Sequence, residues 1–343
     1  MASHVGYNIY TQRTLPLLSS VQMKKHVKFA KHLLNNWGMP PQKILWIHYD
    51  EKWWYGHVNR ANCKLLELLG LEKTHTYVYH KNHVDKVMVV AFTAYAFENH
   101  VENGGDGIKL GFFRCEGARV AKMTVRESRR LPTTDGTTGA LVRDGAIVRR
   151  SGDVYFVDCN VTGSNEGTSD APKYALSTLF KKHIFPKVKA LVGPGGKYEG
   201  FKPVFQGDHA GPHCDAAYLN YVNTYCKNND MKWEPQAPQM PHSNNLDLAV
   251  FPAMSKHHST MLKAYANRVA PKDEIWKAAK EVWKNLPSAS IARGFILVHR
   301  IAKKVISSGG ANTFLQEKEF HSHVRRDFLN TETGVVKKIR VVP

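Results

Sequence analysis

Three aspartates stand where a carboxylate could do chemistry. Asp50 follows the apolar run 44–49, Asp208 follows the short run 203–206, and Asp247 begins a helical pattern. Strand ends are where an open α/β sheet exposes side chains to a ligand crevice. Magnesium takes oxygen ligands, keeps several waters, and needs only a few protein carboxylates beside substrate phosphates. The positions therefore allow one hard-cation site, although an acid at a strand end is more often a turn former or a helix cap.

The elements that must position these acids follow from apolar periodicity. Ser19 and Gln22 resemble a capping box, which predicts a basic amphipathic helix that ends near Gly38. The pattern further predicts strands at 44–49 (stopping at Asp50), 75–80, 86–96, 108–114, 154–157, 203–206 and 231–235, and helices at 171–192, 214–228, 247–267, 272–284 and 290–308. This order indicates a mixed α/β core with a helical C-terminal layer.

The segment 126–153 differs from this core in composition. It is rich in Arg, Thr, Gly and Asp and has few large apolar residues, so we interpret it as an insertion or long loop. Its arginines could clamp DNA or a partner subunit, or could simply be solvated. Trp46, Trp53 and Trp54 could likewise stack on DNA bases or pack against the core.

The charge balance points to a polyanionic partner. Forty-eight Lys and Arg against 29 Asp and Glu give a formal charge of +19, and phosphate neutralisation dominates non-specific DNA affinity. DNA, RNA and an anionic membrane surface all remain open on charge alone. The five cysteines include no C-x-x-C pair, and the longest apolar stretch, 87–97, is too short to span a bilayer. We expect an intracellular protein without a membrane partner.

Three sequence blocks resemble mariner-like DDE/D transposases of the plant-type branch. Ile47-His48-Tyr49-Asp50-Glu51-Lys52-Trp53-Trp54-Tyr55 is similar to the first catalytic block, Gln206-Gly207-Asp208-His209-Ala210-Gly211-Pro212-His213 to the second, and Asn244-Asn245-Leu246-Asp247-Leu248-Ala249-Val250-Phe251 to the third. Supporting similarities lie at 86–89, 107–111 and 309–312 and at His321, so the resemblance runs from about 12 to 330. The order and separations of the blocks are more specific than any single block.

The resemblance implies a ribonuclease H-like catalytic domain over 43–268, with an insertion at about 126–153. A helical lead-in would occupy 1–42, and a helical extension with a tail would occupy 269–343. Asp50, Asp208 and Asp247 would be the catalytic and metal-binding residues. They would hold two Mg²⁺ or Mn²⁺ ions, with Asp50 bridging both, Asp208 binding one and Asp247 the other. Such a site cleaves DNA strands and transfers a freed 3′-hydroxyl to a target strand.

Two departures from the family pattern set the alternatives. Two helix-turn-helix units precede the catalytic domain in this family, whereas about forty residues precede the first strand here. His209 replaces an Asn, and Met240-Pro241-His242-Ser243 replaces a Ser-Pro-Asp-Leu stretch. An active transposase domain, a catalytically silent DNA-binding protein and an unrelated nuclease of the same fold are all compatible with this sequence. We expect double-stranded DNA as the partner (transposon ends if a DNA-reading domain is supplied elsewhere), a homodimer and a nuclear location.

Overall fold

The computed structural model describes residues 17–40, 42–56, 85–127, 129–130, 141–142, 145–262 and 270–316. Its main sheet consists of β1 (Lys43–Tyr55), β2 (Lys86–Glu98), β3 (Gly105–Arg114), β4 (Lys202–Gly207) and β5 (Lys232–Pro235). The principal helices are α1 (Ser20–Leu34), α2 (Phe185–Val192), α3 (Ala216–Asn228), α4 (Phe251–Met261), α5 (Lys272–Asn285) and α6 (Ser288–Ser307). The strand predicted at 75–80 and His321 lie outside the described residues.

The sheet is mixed, with the strand order β5-β4-β1-β2-β3. The first three strands in the chain form an antiparallel meander, whereas β1, β4 and β5 run parallel to one another. Parallel neighbours need crossover connections. Helical segments lie between β3 and β4, on the path from β1 to its neighbour β4, and between the neighbours β4 and β5. This architecture confirms the predicted ribonuclease H-like mixed sheet flanked by helices.

The predicted end of the first strand is wrong. β1 continues through Asp50 to Tyr55, and its whole length pairs with β2, from Lys43 opposite Glu98 to Tyr55 opposite Lys86. The polar residues at 50–52 resemble a strand terminus in sequence, but β2 keeps supplying backbone partners beyond them. Asp50 therefore lies inside a strand, on a backbone held by cross-strand hydrogen bonds.

Helices pack on both faces of the sheet, so β1 and β2 are buried on both sides. Alternate residues of a strand point to opposite faces, so Trp46 and Trp54 face one core and Tyr49 faces the other. The first core is closed by α1, α4, α5 and α6, and the second by α2, α3 and the helical turns before α2. Trp46 and Trp54 are almost completely buried, so these two indoles are packing residues.

The predicted helices are present, with shifted ends. The capping box of α1 is formed: Ser19 N donates to Gln22 Oε1 at 2.8 Å and Gln22 N donates to Ser19 Oγ at 3.3 Å. The helix predicted from 171 instead begins at Leu176, after a short strand at Tyr174–Ala175. No helix among the described residues is long and apolar enough to cross a membrane.

Two π-helical segments, Phe180–Ile184 and Leu246–Val250, precede α2 and α4. In each case a proline, Pro186 or Pro252, stands at the second position of the helix that follows. Proline has no N–H to give to the carbonyl four residues earlier, so the neighbouring turn widens to the i→i+5 pattern. The second of these wide turns carries Asp247.

The segment predicted as a loop-rich insertion is instead a two-stranded ribbon at its described positions. Antiparallel pairs join Glu116–Val120 to Val154–Asp158, Val125–Arg126 to Ile147–Arg149, and Arg129–Arg130 to Leu141–Val142. These nested pairs form one long hairpin, hereafter the ribbon, that leaves the sheet after β3. Val120, Met123, Ile147, Val148, Val154 and Phe156 are exposed on it.

Helices α5 and α6 belong to the same core as the sheet. Ile275 of α5 and Ile291 and Phe295 of α6 are fully buried in the core that also contains Trp46. The domain boundaries predicted after 42 and after 268 stay predictions. The helical C-terminal layer lies directly on the sheet.

The approach of α6 to the turn that carries Asp247 depends on Gly294. A methyl group at this position would lie 1.8 Å from Asn245 Oδ1 and 3.0 Å from the Ala249 side chain. We expect Gly294→Ala to lower the free energy of unfolding by about 1–3 kcal/mol through overpacking, although alanine is the better helix former by about 1 kcal/mol. Urea unfolding measures the change.

Lys304→Ala, on an exposed part of the same helix, is the control and should change stability by less than about 0.5 kcal/mol. A Gly294→Ala protein as stable as the parent would show that α6 does not approach this turn closely.

Candidate active site

Asp50 and Asp208 lie side by side on neighbouring parallel strands. β1 and β4 pair in register from Ile44 opposite Lys202 to His48 opposite Gln206. Continuing that register by two residues brings Asp50 level with Asp208, which directly follows the last residue of β4. Asp50 is 6% exposed. The pairing of β1 with β4 therefore places Asp50 and Asp208 side by side, at the level where β4 ends.

Asp247 lies near these two acids because two asparagines hold its turn against β1. Asn245 N donates to His48 Nδ1 at 2.8 Å, and Asn244 Nδ2 donates to Asp50 Oδ2 at 3.1 Å. Burial lowers the pKa of His48 to about 3, so its ring is neutral and can accept this hydrogen bond. Asp247 is exposed to solvent, and its carboxyl group also interacts with that of Asp50. The structure thus brings all three predicted acids together.

The cluster carries uncompensated negative charge. Burial, together with the charges of Asp247, Glu51 and Asp208, raises the pKa of Asp50 well above its usual range. Burial and the charges of Asp208 and Glu51 also raise the pKa of Asp247, against the opposing effects of Asp50 and Lys52. Like charges that share a site disfavour ionisation in this way.

Lys52 is a cation that interacts with both Asp50 and Asp247. Its Nζ lies 5.6 Å from the Trp54 ring centroid and 5.5 Å from that of Phe251. Burial lowers the pKa of Lys52, whereas the two aspartates raise it. The ammonium group offsets part of the negative charge of the two aspartates, so a further cation would still be attracted to them.

Asp208 has an environment unlike that of the other two acids. Its Oδ1 accepts from Ala210 N at 2.9 Å and makes a short ion-pair contact with His213 Nδ1. Burial opposes its ionisation, but the contacts with His213 and Ala210 outweigh burial and lower the pKa of Asp208. Burial likewise disfavours the charged His213 ring, but Glu51 and Asp208 together raise the pKa of His213 well above its usual range.

Glu51 and His213 are the site residues that sequence reasoning does not single out. Glu51 Oε1 lies 2.8 Å from His213 Nε2, and the imidazole is completely buried between the two carboxylates. Both residues stand inside the quoted first and second blocks, which is the only signal in the sequence. Their contact joins positions 162 residues apart in the chain, so spacing could not reveal it.

The donor chemistry fits hard divalent cations. All three acids offer carboxylate oxygens, which are the ligands that hard divalent cations prefer. Within the described ranges, no three His, Cys, Asp or Glu side chains surround a single point closely enough to hold a metal ion. A pair of ions that share Asp50 requires only two of these carboxylates each, since water and phosphate oxygens supply the remaining ligands.

The opposite pKa directions at Asp247 and Asp208 predict opposite stability changes. A carboxyl with a raised folded-state pKa costs stability as pH rises above its ordinary value, whereas one with a lowered pKa contributes stability that is lost on acidification. At neutral pH without divalent cations, we expect Asp247→Asn to raise the free energy of unfolding by about 1 kcal/mol, a small value because water screens its exposed edge. Asp208→Asn should lower it by about 1–3 kcal/mol, because it leaves the buried imidazole with one anionic partner.

Urea unfolding across a pH series checks both variants. The Asp247→Asn difference should shrink towards about pH 4, where carboxyl groups protonate in the unfolded chain. The Asp208→Asn difference should persist at that pH and shrink only on further acidification, as pH falls through the lowered pKa of Asp208. Shifts of the same sign in the two variants would contradict the assigned electrostatics.

No protein-family model and no curated protein matches this chain. Among solved structures, the chain is similar to a pre-cleavage Mos1 transpososome, with 12% identity, a TM-score of 0.49 and coverage of 90% of this chain and 69% of that one. A Mos1 mariner paired end complex with Mn gives the same four values. The catalytic domain of Mos1 mariner transposase is similar at 12% identity and a TM-score of 0.44, over 87% of this chain and 98% of that chain.

Proposed function

We propose that this chain is the catalytic part of a mariner-like transposase, which cuts and joins DNA strands with divalent metal ions. The observation that carries the proposal is the convergence of Asp50, Asp208 and Asp247 where β4 ends beside β1, with the pKa values of Asp50 and Asp247 raised by burial and by neighbouring carboxylates. Displaced pKa values in a group of converging acids are characteristic of functional sites. The three sequence blocks support the same assignment.

Each side chain has a distinct role in the proposal. Asp50, central and buried, would be shared by two Mg²⁺ or Mn²⁺ ions, with Asp208 completing one site and Asp247 the other. When bound, the ions supply Lewis-acid stabilisation of the attacking and leaving oxygens of an in-line phosphoryl displacement. Asn244 holds the Asp50 carboxylate, and Asn245 fixes the turn that carries Asp247. These contacts keep the acids in place before DNA arrives.

Double-stranded DNA is the proposed substrate, and the nucleus the proposed location. The formal charge of +19 favours a phosphate-rich partner. Recognition of particular transposon ends requires base-edge contacts, which we assign to a DNA-reading domain outside the catalytic part. DNA joining distinguishes the proposed activity from that of a nuclease of the same fold.

We expect the protein to nick supercoiled plasmid in the presence of Mg²⁺ or Mn²⁺ and to join a labelled 3′-hydroxyl oligonucleotide to the plasmid. Asp50→Asn, Asp208→Asn and Asp247→Asn should each reduce nicking at least about 100-fold, equivalent to about 2.7 kcal/mol of barrier. Their affinity for the plasmid, measured by filter binding, should stay near that of the parent, since phosphate contacts by basic residues dominate it.

Asp170→Asn is the matched control, because this carboxylate is exposed and pairs with Lys122 outside the cluster. Full nicking by any of the three cluster variants would refute the site. Nicking without joining would indicate a nuclease, and DNA binding without either reaction would indicate a catalytically silent DNA-binding protein.

The proposal includes a homodimer that forms through the ribbon. The strand register places Phe156 opposite Ala118 and Val154 opposite Val120, so these four side chains share one face. Phe156 is 68% exposed and Val154 65%. Grouped apolar side chains open to water mark association surfaces, and a second copy of the chain would cover them.

We expect Phe156→Asp to shift the protein from dimer towards monomer in sedimentation velocity at micromolar concentration, raising the dimer Kd by at least about tenfold. A buried phenyl ring contributes about 1.5–3 kcal/mol, and a charge in its place opposes burial. Val21→Asp, at an exposed position on α1, is the control and should not change the Kd. A parent protein that sediments as a monomer, or a Phe156→Asp protein that dimerises normally, would contradict this interface.

A further inference from the structure

His213 is enclosed between two carboxylates from different parts of the chain. It lies on the short 3-10 helix Gly211–Cys214, and its imidazole is 0% exposed. Nε2 lies 2.8 Å from Glu51 Oε1, while Nδ1 contacts Asp208 Oδ1. The Tyr49 ring packs beside the imidazole at a centroid distance of 4.8 Å. A fully buried ring with a carboxylate against each nitrogen can adopt few orientations.

The contacts on Asp208 are one-sided. Ala210 N and His213 Nδ1 both contact Oδ1. Within the described part of the chain, Oδ2 has neither a hydrogen bond nor an ion pair. The described contacts therefore hold this carboxylate at Oδ1 and leave Oδ2 available to another ligand.

Glu51 determines which nitrogen of His213 meets Asp208. It follows Asp50 in β1 and therefore points to the opposite sheet face, where its carboxylate is only 12% exposed. Because Glu51 binds Nε2, the ring is oriented with Nδ1 towards Asp208. One strand thus supplies a member of the acid cluster and, one residue later, an anchor for another member.

We propose that Glu51 and His213 are positioning residues that hold Asp208 Oδ1 and so orient Oδ2 for a divalent cation. This inference rests on the proposed function for its purpose, but the orientation of Asp208 can be tested separately. Residues that orient metal ligands through hydrogen bonds change metal affinity by about 10–100-fold when replaced. His213 would contact neither the ion nor the DNA.

Two substitutions separate positioning from packing. His213→Asn keeps a donor near the place of Nδ1, so it can still bind Asp208. His213→Gln keeps a donor near the place of Nε2, so it binds Glu51 and releases Asp208. Both remove the imidazole ring beside Tyr49, so a purely structural role predicts similar losses. His183→Gln, at an exposed histidine, is the control.

Mn²⁺ affinity without DNA, measured by isothermal titration calorimetry, is the first readout. We expect His213→Gln to weaken binding by about 10–100-fold, and His213→Asn to stay within about threefold of the parent. Glu51→Gln should stay close to the parent because its amide oxygen still accepts from Nε2, whereas Glu51→Ala should weaken binding. Equal affinities for the Asn and Gln variants at position 213 would overturn the proposal.

Crystal structures of the metal-free parent and of both His213 variants give a readout independent of metal binding. We expect the Asp208 carboxylate to keep its orientation in the parent and in His213→Asn, and to rotate in His213→Gln. An unmoved carboxylate in His213→Gln would overturn the positioning role whatever the titrations show. If the carboxylate rotates as expected but the parent binds no Mn²⁺, the positioning role stands and the proposed function fails.

Discussion

Repulsion between buried carboxylates is the constraint on which the rest of this structure depends. Asp50 is almost completely enclosed, yet it lies beside Asp247, Glu51 and Asp208. Burial weakens the shielding by water, so the three neighbouring charges oppose the ionisation of Asp50. A flexible chain would relieve this repulsion by moving the side chains apart. The fold prevents that movement, because Asp50 lies within a thirteen-residue strand that is paired along its entire length with β2.

Rigidity at the site comes from both cores at once. Trp46 and Trp54 anchor one face of β1, and Tyr49 anchors the other among the rings of Phe92, Phe180 and Trp233. On the third side, the wide turn before α4 is fastened to β1 by Asn244 and Asn245. Apolar burial contributes roughly 25 cal/mol for each Å² removed from water, so cores of this size can maintain a repulsive cluster at their edge. Functional sites commonly hold such unfavourable arrangements, at the expense of stability.

The sequence predicts the larger elements and the three acids, and the reasons are local. Alternating and helical periodicities identify β2, β4, α3, α5 and α6 to within a few residues, and Ser19 with Gln22 identifies the start of α1. The extension of β1 beyond Asp50 depends on pairing with β2 residues about thirty to forty positions away along the chain, and so has no local signature. The strands of the ribbon could not be predicted from the sequence for a related reason. They are only two to five residues long, and paired residues lie up to about forty positions apart in the chain. The contact between Glu51 and His213 likewise exists only once β1 and β4 are adjacent.

The three acids are not equivalent, and their different pKa shifts indicate which of them lack a cationic partner. Asp208 already has a cationic neighbour in His213, and its pKa is lowered accordingly. Among the described residues, the cation that acts on both Asp50 and Asp247 is the half-buried Lys52, whose own pKa falls through burial. The negative charge that the protein leaves uncompensated is therefore concentrated between β1 and the turn before α4. A divalent cation there would gain the most electrostatic energy, while the site between Asp50 and Asp208 would depend more on the orientation of a single carboxylate oxygen. On the proposed function, charge would therefore govern metal affinity on the Asp247 side of Asp50, and geometry would govern it on the Asp208 side.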